Sequence, residues 1–441
     1  MALGFIRSGS VTIKAITVGF IILLLIVPLQ MLQSLVSERS LLRDQAYQRV
    51  AEGWGGSSVV GGPILVVPTE RTVLEKYVQR TLREDIYILP SDLKVQAVMK
   101  MDSEPRYVGI YAVPVYLSTI KMAGQFDFAA LRRYASVPEV TYLWKEARLR
   151  LPLSDARSLR SVDAARLGTV SLKLGPASPG LYRGVESLVD LSGLIQADAA
   201  SFDFNTVVAG SRDFSVLPVG STTSVEIKSD WPHPSFQGSF LPAQRTIDDS
   251  GFDAHWQVLE LNRSYPAMWR GSEVNEMSLS ESVVGVGLYQ AVDVYQRGER
   301  AVKYALLFIG LTFLTFFAWE QLSQARMHPL QYLLVGLALS MFYLLLIALS
   351  EHLAFLLAYL IAAAALVSLI GIYIAGALSS TRRGMVAGAA MTVVYGLLYA
   401  LVLSEDYALL LGAIILFAAL AAVMIATRRV NWYRDESEAA T

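Results

Sequence analysis

The chain contains no cysteine, so disulfides, thiolate metal sites, iron–sulfur clusters and cysteine nucleophiles are excluded. Histidine is almost as scarce. Of the four, His328 and His352 flank apolar segments, which leaves His233 and His255 and makes a zinc hydrolase site a poor fit. There is no Gly-x-Ser-x-Gly elbow, no Walker loop, and no Gly-x-Gly-x-x-Gly run opening a helix. Gly285-Val286-Gly287 sits in a strand-like run and reads as a bend. An excess of either charge is also missing: 37 Lys+Arg stand against 38 Asp+Glu, for a formal net charge of -1. That balance leaves no basic footprint for nucleic acid. No catalytic residue, metal or cofactor is therefore assigned. The lack of cysteine does not fix the compartment, because a large enough exported domain folds without disulfides.

What the chain does have is apolar length. It is 54% hydrophobic with a mean hydropathy of +0.44, more apolar than a soluble protein of this size. Polar residues are segregated: 29 of the Lys+Arg and 31 of the Asp+Glu lie in 38–303. Six apolar stretches flank that region, one before and five after. A helix needs about 20 residues to cross a hydrocarbon core of about 30 Å. The first stretch, Val11–Val36, follows Arg7, carries Lys14 near its start and contains Pro28. It is longer than a signal-peptide core and lacks a small-x-small site after it, so it reads as an uncleaved signal anchor. The others are Tyr304–Trp319, which is short, Leu330–Leu349, Leu353–Leu378, which is long enough to tilt, Met385–Leu403 and Tyr407–Ala426.

Loop charge gives the orientation. With the N-terminus inside, Arg7, Lys14, Arg326, Arg382, Arg383, Arg428, Arg429 and Arg434 all lie inside, while Ser350-Glu351-His352 and Ser404-Glu405-Asp406 lie outside with no Lys or Arg. Trp319 and Trp432-Tyr433 fit inner-interface anchors. The expected layout is a cytoplasmic N-terminus and signal anchor over 1–37, a periplasmic domain over 38–303, a five-helix bundle over 304–427, and a cytoplasmic tail over 428–441.

The outer domain opens as a helical continuation from Leu35 to about Val60, broken by Gly53, Gly55, Gly56, Gly61 and Gly62. Short β-branched or aromatic runs follow: Ile64–Val67, Ile86–Leu89, Tyr111–Leu117, Thr141–Leu151, Val170–Leu174, Phe202–Val208, Phe214–Leu217, Thr223–Lys228 and Phe252–Leu259. Gly, Pro and Asp clusters separate them, as in a sandwich. Leu89-Pro90-Ser91-Asp92, Leu151-Pro152-Leu153-Ser154-Asp155 and Ile227-Lys228-Ser229-Asp230 echo one another. Duplication of a sandwich unit and ordinary turn chemistry both account for the echo. The fold class is thus a membrane α-helical bundle of six transmembrane helices, one plus five, with a large extracytoplasmic mainly-β domain, a β-sandwich of one or two subdomains.

Trp231, His233, Glu320, Glu351 and His352 stand out as functional candidates. Trp231-Pro232-His233-Pro234-Ser235-Phe236 must be a stiff, non-helical connector, since each proline fixes its own φ and extends the residue before it. It is either a rigid corner whose aromatics fill the sandwich edge or, through His233 with His255, a general base or ligand. Charged groups at membrane spans are functional suspects: Glu320 at the inner end of the second span, and Glu351 with His352, and Glu405-Asp406, at outer ends. All lie at edges, whereas a transporter more often carries an acid at mid-depth. Pro329 after His328 reads as a helix start. Gly384-x-x-x-Gly388, with Gly396 beyond, reads as a close helix approach.

Several segments taken together resemble the CreD family of bacterial inner-membrane proteins, also called cell envelope integrity proteins. They include Trp231–Phe236 with Phe240-Leu241-Pro242, Gly251-Phe252-Asp253-Ala254-His255-Trp256, and Val292-Asp293-Val294-Tyr295. Lys303-Tyr304-Ala305, Leu311-Thr312-Phe313 with Glu320, and His328–Gly336 continue the match, as do Phe342–Leu346, Ser350-Glu351-His352 and Gly62–Pro68. Ala291 stands where the pattern has a proline, and 121–200 carries no matching motif. The resemblance implies an envelope-integrity and envelope-stress protein, associated with a sensor-kinase/response-regulator pair, colicin tolerance and β-lactam response. It brings no catalytic residue, substrate or cofactor. The function expected is non-enzymatic, with a periplasmic domain that senses or binds an envelope component. The rival readings are a transporter or lipid-handling protein, an envelope enzyme using His233 or His255, and a scaffold. The partners expected are the lipid bilayer and either other envelope proteins or an envelope ligand.

Overall fold

The computed structural model describes residues 11–75, 78–136, 140–288, 294–323, 327–377, 379–404 and 407–428. The charges expected at Arg7, Arg326, Glu405, Asp406, Arg429 and Arg434, the turn at Ala291–Asp293 and the Trp432-Tyr433 anchor lie outside the described residues. So does the side chain of Trp319. The chain divides into two compact units, one formed by its two ends up to Leu42 and from Val292, the other by Arg43–Ala291.

Helix α1 (Val11–Trp54) has 44 residues, about 66 Å at 1.5 Å per residue, and contributes to both units. Two short helices, α2 (Phe128–Ala135) and α3 (Glu276–Ser280), belong to the second unit. The first unit continues with α4 (Val294–Ser323), α5 (Pro329–Ser350), α6 (Phe355–Ala377), α7 (Thr381–Leu403) and α8 (Ala408–Thr427). Among the described residues α1 and α4–α7 are long and apolar enough to cross a membrane, and the apolar stretch of α8 runs Ala408–Ala422. The span expected to be short is not: α4 begins ten residues before Tyr304, so its charged first turns precede the apolar part. The start of α5 is as expected. Pro329 occupies its first turn, and the His328 side chain accepts from the Leu330 N–H while the Gln331 side chain accepts from the His328 N–H.

Aromatics fill the bundle core. Phe342 of α5 meets Tyr359 of α6 and Tyr395 of α7 edge-on, with ring centroids 5.5 and 4.6 Å away. The Tyr359 hydroxyl donates to the Tyr395 carbonyl oxygen. Of the expected small-residue motif, Gly384 is the working position: a Cβ there would lie 2.6 Å from both the Gly371 carbonyl oxygen and the Ala375 Cβ. Gly396 has nothing within 4 Å.

Among the described residues the second unit holds four sheets. The largest has eight strands in the order β11 (Val170–Ser171), β10 (Leu159–Leu167), β14 (Ala199–Gly210), β7 (Tyr116–Asp127), β4 (Asp92–Met101), β16 (Thr222–Ser229), β19 (Gly251–Leu259) and β18 (Gln244–Asp248). A seven-stranded sheet runs β12 (Gly175–Pro176), β13 (Gly184–Val189), β9 (Ala147–Pro152), β2 (Ile64–Glu75), β3 (Val78–Ile88) and β20 (Met268–Arg270), with β8 (Val140–Tyr142) also on β2. A smaller sheet runs β1 (Ser58–Gly61), β15 (Asp213–Leu217), β21 (Val284–Leu288) and β17 (Pro234–Gly238), and β5 (Arg106–Val108) pairs with β6 (Tyr111–Val113). Alternation sets the faces: in β4, Leu93, Val95, Ala97 and Met99 are buried while Lys94, Gln96 and Val98 face out. The buried residues of both large sheets belong to one continuous apolar core, and the sheets are open, as in a sandwich.

The structure redraws four local expectations. Helix α1 stops at Trp54, and Val59-Val60 belong to β1, paired in parallel with β15. Gly55 ends the helix: it adopts φ +119°, donates to the Ala51 carbonyl, and a Cβ there would lie 2.7 Å from the Ala209 carbonyl oxygen. Gly55→Ala is therefore expected to lower the unfolding free energy by about 1 kcal/mol or more, read by denaturant titration; an unchanged midpoint would remove this role. Tyr111–Leu117 is two strands, parted at Pro114. Thr141–Leu151 is interrupted by a 3-10 turn at Trp144–Glu146. Val170–Leu174 keeps its strand only at Val170-Ser171.

Candidate functional site

The membrane-edge acids are more deeply engaged than edge placement implies. Glu320 near the end of α4 is buried at 6% exposure. Its Oε1 pairs with the Lys14 ammonium of α1 and accepts from the Met327 N–H at 2.9 Å, and its Oε2 accepts from the Tyr332 hydroxyl of α5 at 2.9 Å. Glu351, the C-cap of α5, faces Arg39 of α1 at 3.6 Å and accepts from the Tyr295 hydroxyl of α4 at 3.3 Å. Lys14 and Arg39 lie twenty-five residues apart on one helix, about 38 Å. Two polar clusters thus tie α1 to the α4–α5 hairpin across roughly the thickness of a bilayer. His352 is exposed, and its backbone N–H donates to the Leu349 carbonyl oxygen.

The proline-bounded segment is non-helical, as expected, and leads at Pro234 into β17. The Trp231 indole N–H donates to the His233 carbonyl at 3.0 Å, and Phe236 packs edge-on against Phe252 and Trp256 of β19. His233 is exposed just before β17, while His255 lies on the outward face of β19, in another sheet. Among the described residues no hydrogen bond joins the two. His255 instead forms, with Glu226 and Asp253, the one metal-capable group found among the described residues. Lys228 already supplies a cation there: its ammonium lies 2.6 Å from Glu226 and 3.2 Å from Asp253.

The constellation that sequence reading missed is a polar cleft of about 740 Å³ on the seven-stranded sheet. It is lined by Pro68 of β2, Arg83, Glu84 and Asp85 of β3, Glu146, Arg148 of β9, Ser178, and Glu186 and Leu188 of β13. Arg83 pairs with Glu146, and Arg148 with Asp85 at 2.8 Å. Behind the wall, Arg150 is 3% exposed; its Nε and Nη2 donate to one Glu186 oxygen at 3.0 and 2.7 Å, and Nη2 also to the Ser178 carbonyl at 2.9 Å. The other Glu186 oxygen accepts from the Ser178 N–H and hydroxyl at 2.9 and 2.7 Å. Burial alone would raise the Glu186 carboxyl, but Ser178 and Arg150 outweigh it and hold it below the usual range. Burial first, and then the Asp85 carboxylate, push the Tyr87 phenol above its ordinary value. Arg148 Nε is buried and, among the described residues, has no acceptor. The signal for this site was present in Arg148-Leu149-Arg150-Leu151, where two arginines share one face of a strand that reads as interior.

Among the described residues the cleft is lined by paired charges, an arrangement able to bind a polar group.

A family model described as inner membrane protein CreD matches residues 10–433. The inner membrane protein CreD of Escherichia coli (strain K12) is 34% identical over 426 residues, covering 93% of this chain and 91% of that protein.

Proposed function

The chain belongs to the CreD family and is a multi-pass inner-membrane protein, and from that premise we propose that it maintains envelope integrity without being an enzyme. Its β-rich unit lies on the periplasmic side and binds a polar envelope component; both termini are cytoplasmic. The observation that carries this reading is the cleft on the seven-stranded sheet. Its volume falls within the range of about 300–1,000 Å³ usual for small-molecule sites, and its walls are charged.

The test is complementation in a host lacking its own CreD protein, scored by tolerance to envelope stress. Arg83→Gln and Arg148→Gln are expected to abolish rescue at unchanged protein level, whereas His233→Ala and His255→Ala leave it intact. Rescue lost in the histidine variants and kept in the arginine variants would favour an envelope enzyme instead.

A further inference from the structure

The helical unit has a cleft of its own, about 480 Å³, between α1 and α5. Its origin lies in two small residues and a proline. At Gly336 the helices nearly touch: a Cβ there would lie 2.3 Å from Leu25 Cδ1 and 2.8 Å from Phe313 Cζ. About one turn further along, Pro28 has no N–H to give and its ring crowds the preceding turn. Opposite it, Ser340 turns its short side chain back onto the Gly336 carbonyl at 3.1 Å. The space left between these positions has an apolar floor that includes the buried Leu32, and two methionines at its mouth, Met31 and Met341, 69% and 58% exposed. In membrane-crossing helices such exposure faces lipid, and the thioether side chain adapts to irregular apolar partners.

One ionisable group lines the cleft, Glu38, about two turns along α1 from Met31. Its neighbour Arg39 is turned to Glu351, and no cation among the described residues pairs with Glu38. An apolar slot with an unpaired carboxylate about 10 Å along the helix matches an acyl chain of a lipid whose headgroup carries an ammonium. We propose that this cleft binds one acyl chain of a bilayer lipid bearing a primary amine, with the ammonium held by Glu38. Charge complementarity selects the amine-bearing lipid over anionic ones, and the methionine mouth admits the chain from the side.

The natural absence of cysteine allows a direct test on the full chain. Met341→Cys, labelled with a small fluorophore, is reconstituted in vesicles of mixed phosphatidylethanolamine and phosphatidylglycerol in which one or the other carries brominated chains. Quenching by the brominated amine lipid is expected to exceed that by the anionic lipid by about threefold, the scale of a partly exposed ion pair. The preference should vanish with Glu38→Gln and reverse with Glu38→Lys. A label at Met385→Cys on α7, also exposed, should show no preference. Equal quenching by both lipids at Met341→Cys, or a preference that survives Glu38→Gln, would overturn the proposal.

Discussion

Glu320→Leu is expected to lower the stability of the purified protein by about 3–5 kcal/mol, the usual result of removing one member of a buried ion pair. Three donors lose their acceptor at once: the Lys14 ammonium, the Met327 N–H and the Tyr332 hydroxyl. The Met327 N–H and the Tyr332 hydroxyl are buried and cannot turn to bulk water without moving a helix. Lys14→Met should cost less, because Tyr332 and the Met327 N–H still serve the carboxylate. Combining the two changes should cost less than their sum, since the stranded ammonium is then gone. Thermal unfolding in detergent reads all three. An unchanged transition for Glu320→Leu would mean that α1 is not held to the α4–α5 hairpin through this cluster.

The β-rich unit has an equivalent in Arg150, for which replacement by Met should again cost about 3–5 kcal/mol. The guanidinium is nearly inaccessible and joins Glu186 of the adjoining strand to the loop carrying Ser178 and Tyr182. Because Glu186 is held below its ordinary value of 4.5 in the folded chain, it contributes stability that is fully present above the unfolded value. That contribution is lost as pH falls through the lower folded value. The wild-type chain should therefore lose stability on acidification below the ordinary Glu186 value of 4.5 more steeply than Arg150→Met. Unfolding midpoints that fall in parallel in the two proteins would show that the pair contributes nothing to acid sensitivity.

The membrane half of the fold was legible because the physics is one-dimensional: a span of fixed length must be apolar, and α1 and α4–α7 read directly as such runs, with the apolar stretch of α8 shorter. The β half was legible where strands announce themselves with β-branched residues, as in Thr223–Lys228. Strand β4 was passed over although its alternation is regular, because Asp92 after Leu89-Pro90-Ser91 reads as a turn and Lys94, Gln96 and Ala97 have low strand propensity. Its burial between β7 and β16 overrides that propensity. The three Ser-Asp echoes do different work, which favours turn chemistry over duplication. Asp92 opens β4, Asp155 caps a 3-10 turn, and Asp230 accepts from the Met101 N–H. Among the site residues, Glu320 and Glu351 were visible as charges in apolar surroundings, but their partners were not, since Lys14 and Glu320 are 306 positions apart. The pairing of Arg150 was hidden for the same reason: Arg150 and Glu186 meet only through strand register.

Residue-specific labelling in cells tests the central claim most directly. In this cysteine-free chain, Asp249→Cys places a thiol on an exposed residue of the β-rich unit, and Thr381→Cys places one on an exposed residue at the start of α7. With a membrane-impermeant maleimide applied to spheroplasts, the account predicts labelling of Asp249→Cys before lysis and of Thr381→Cys only after it. Protection of Asp249→Cys until lysis, with Thr381→Cys reacting from outside, would contradict it.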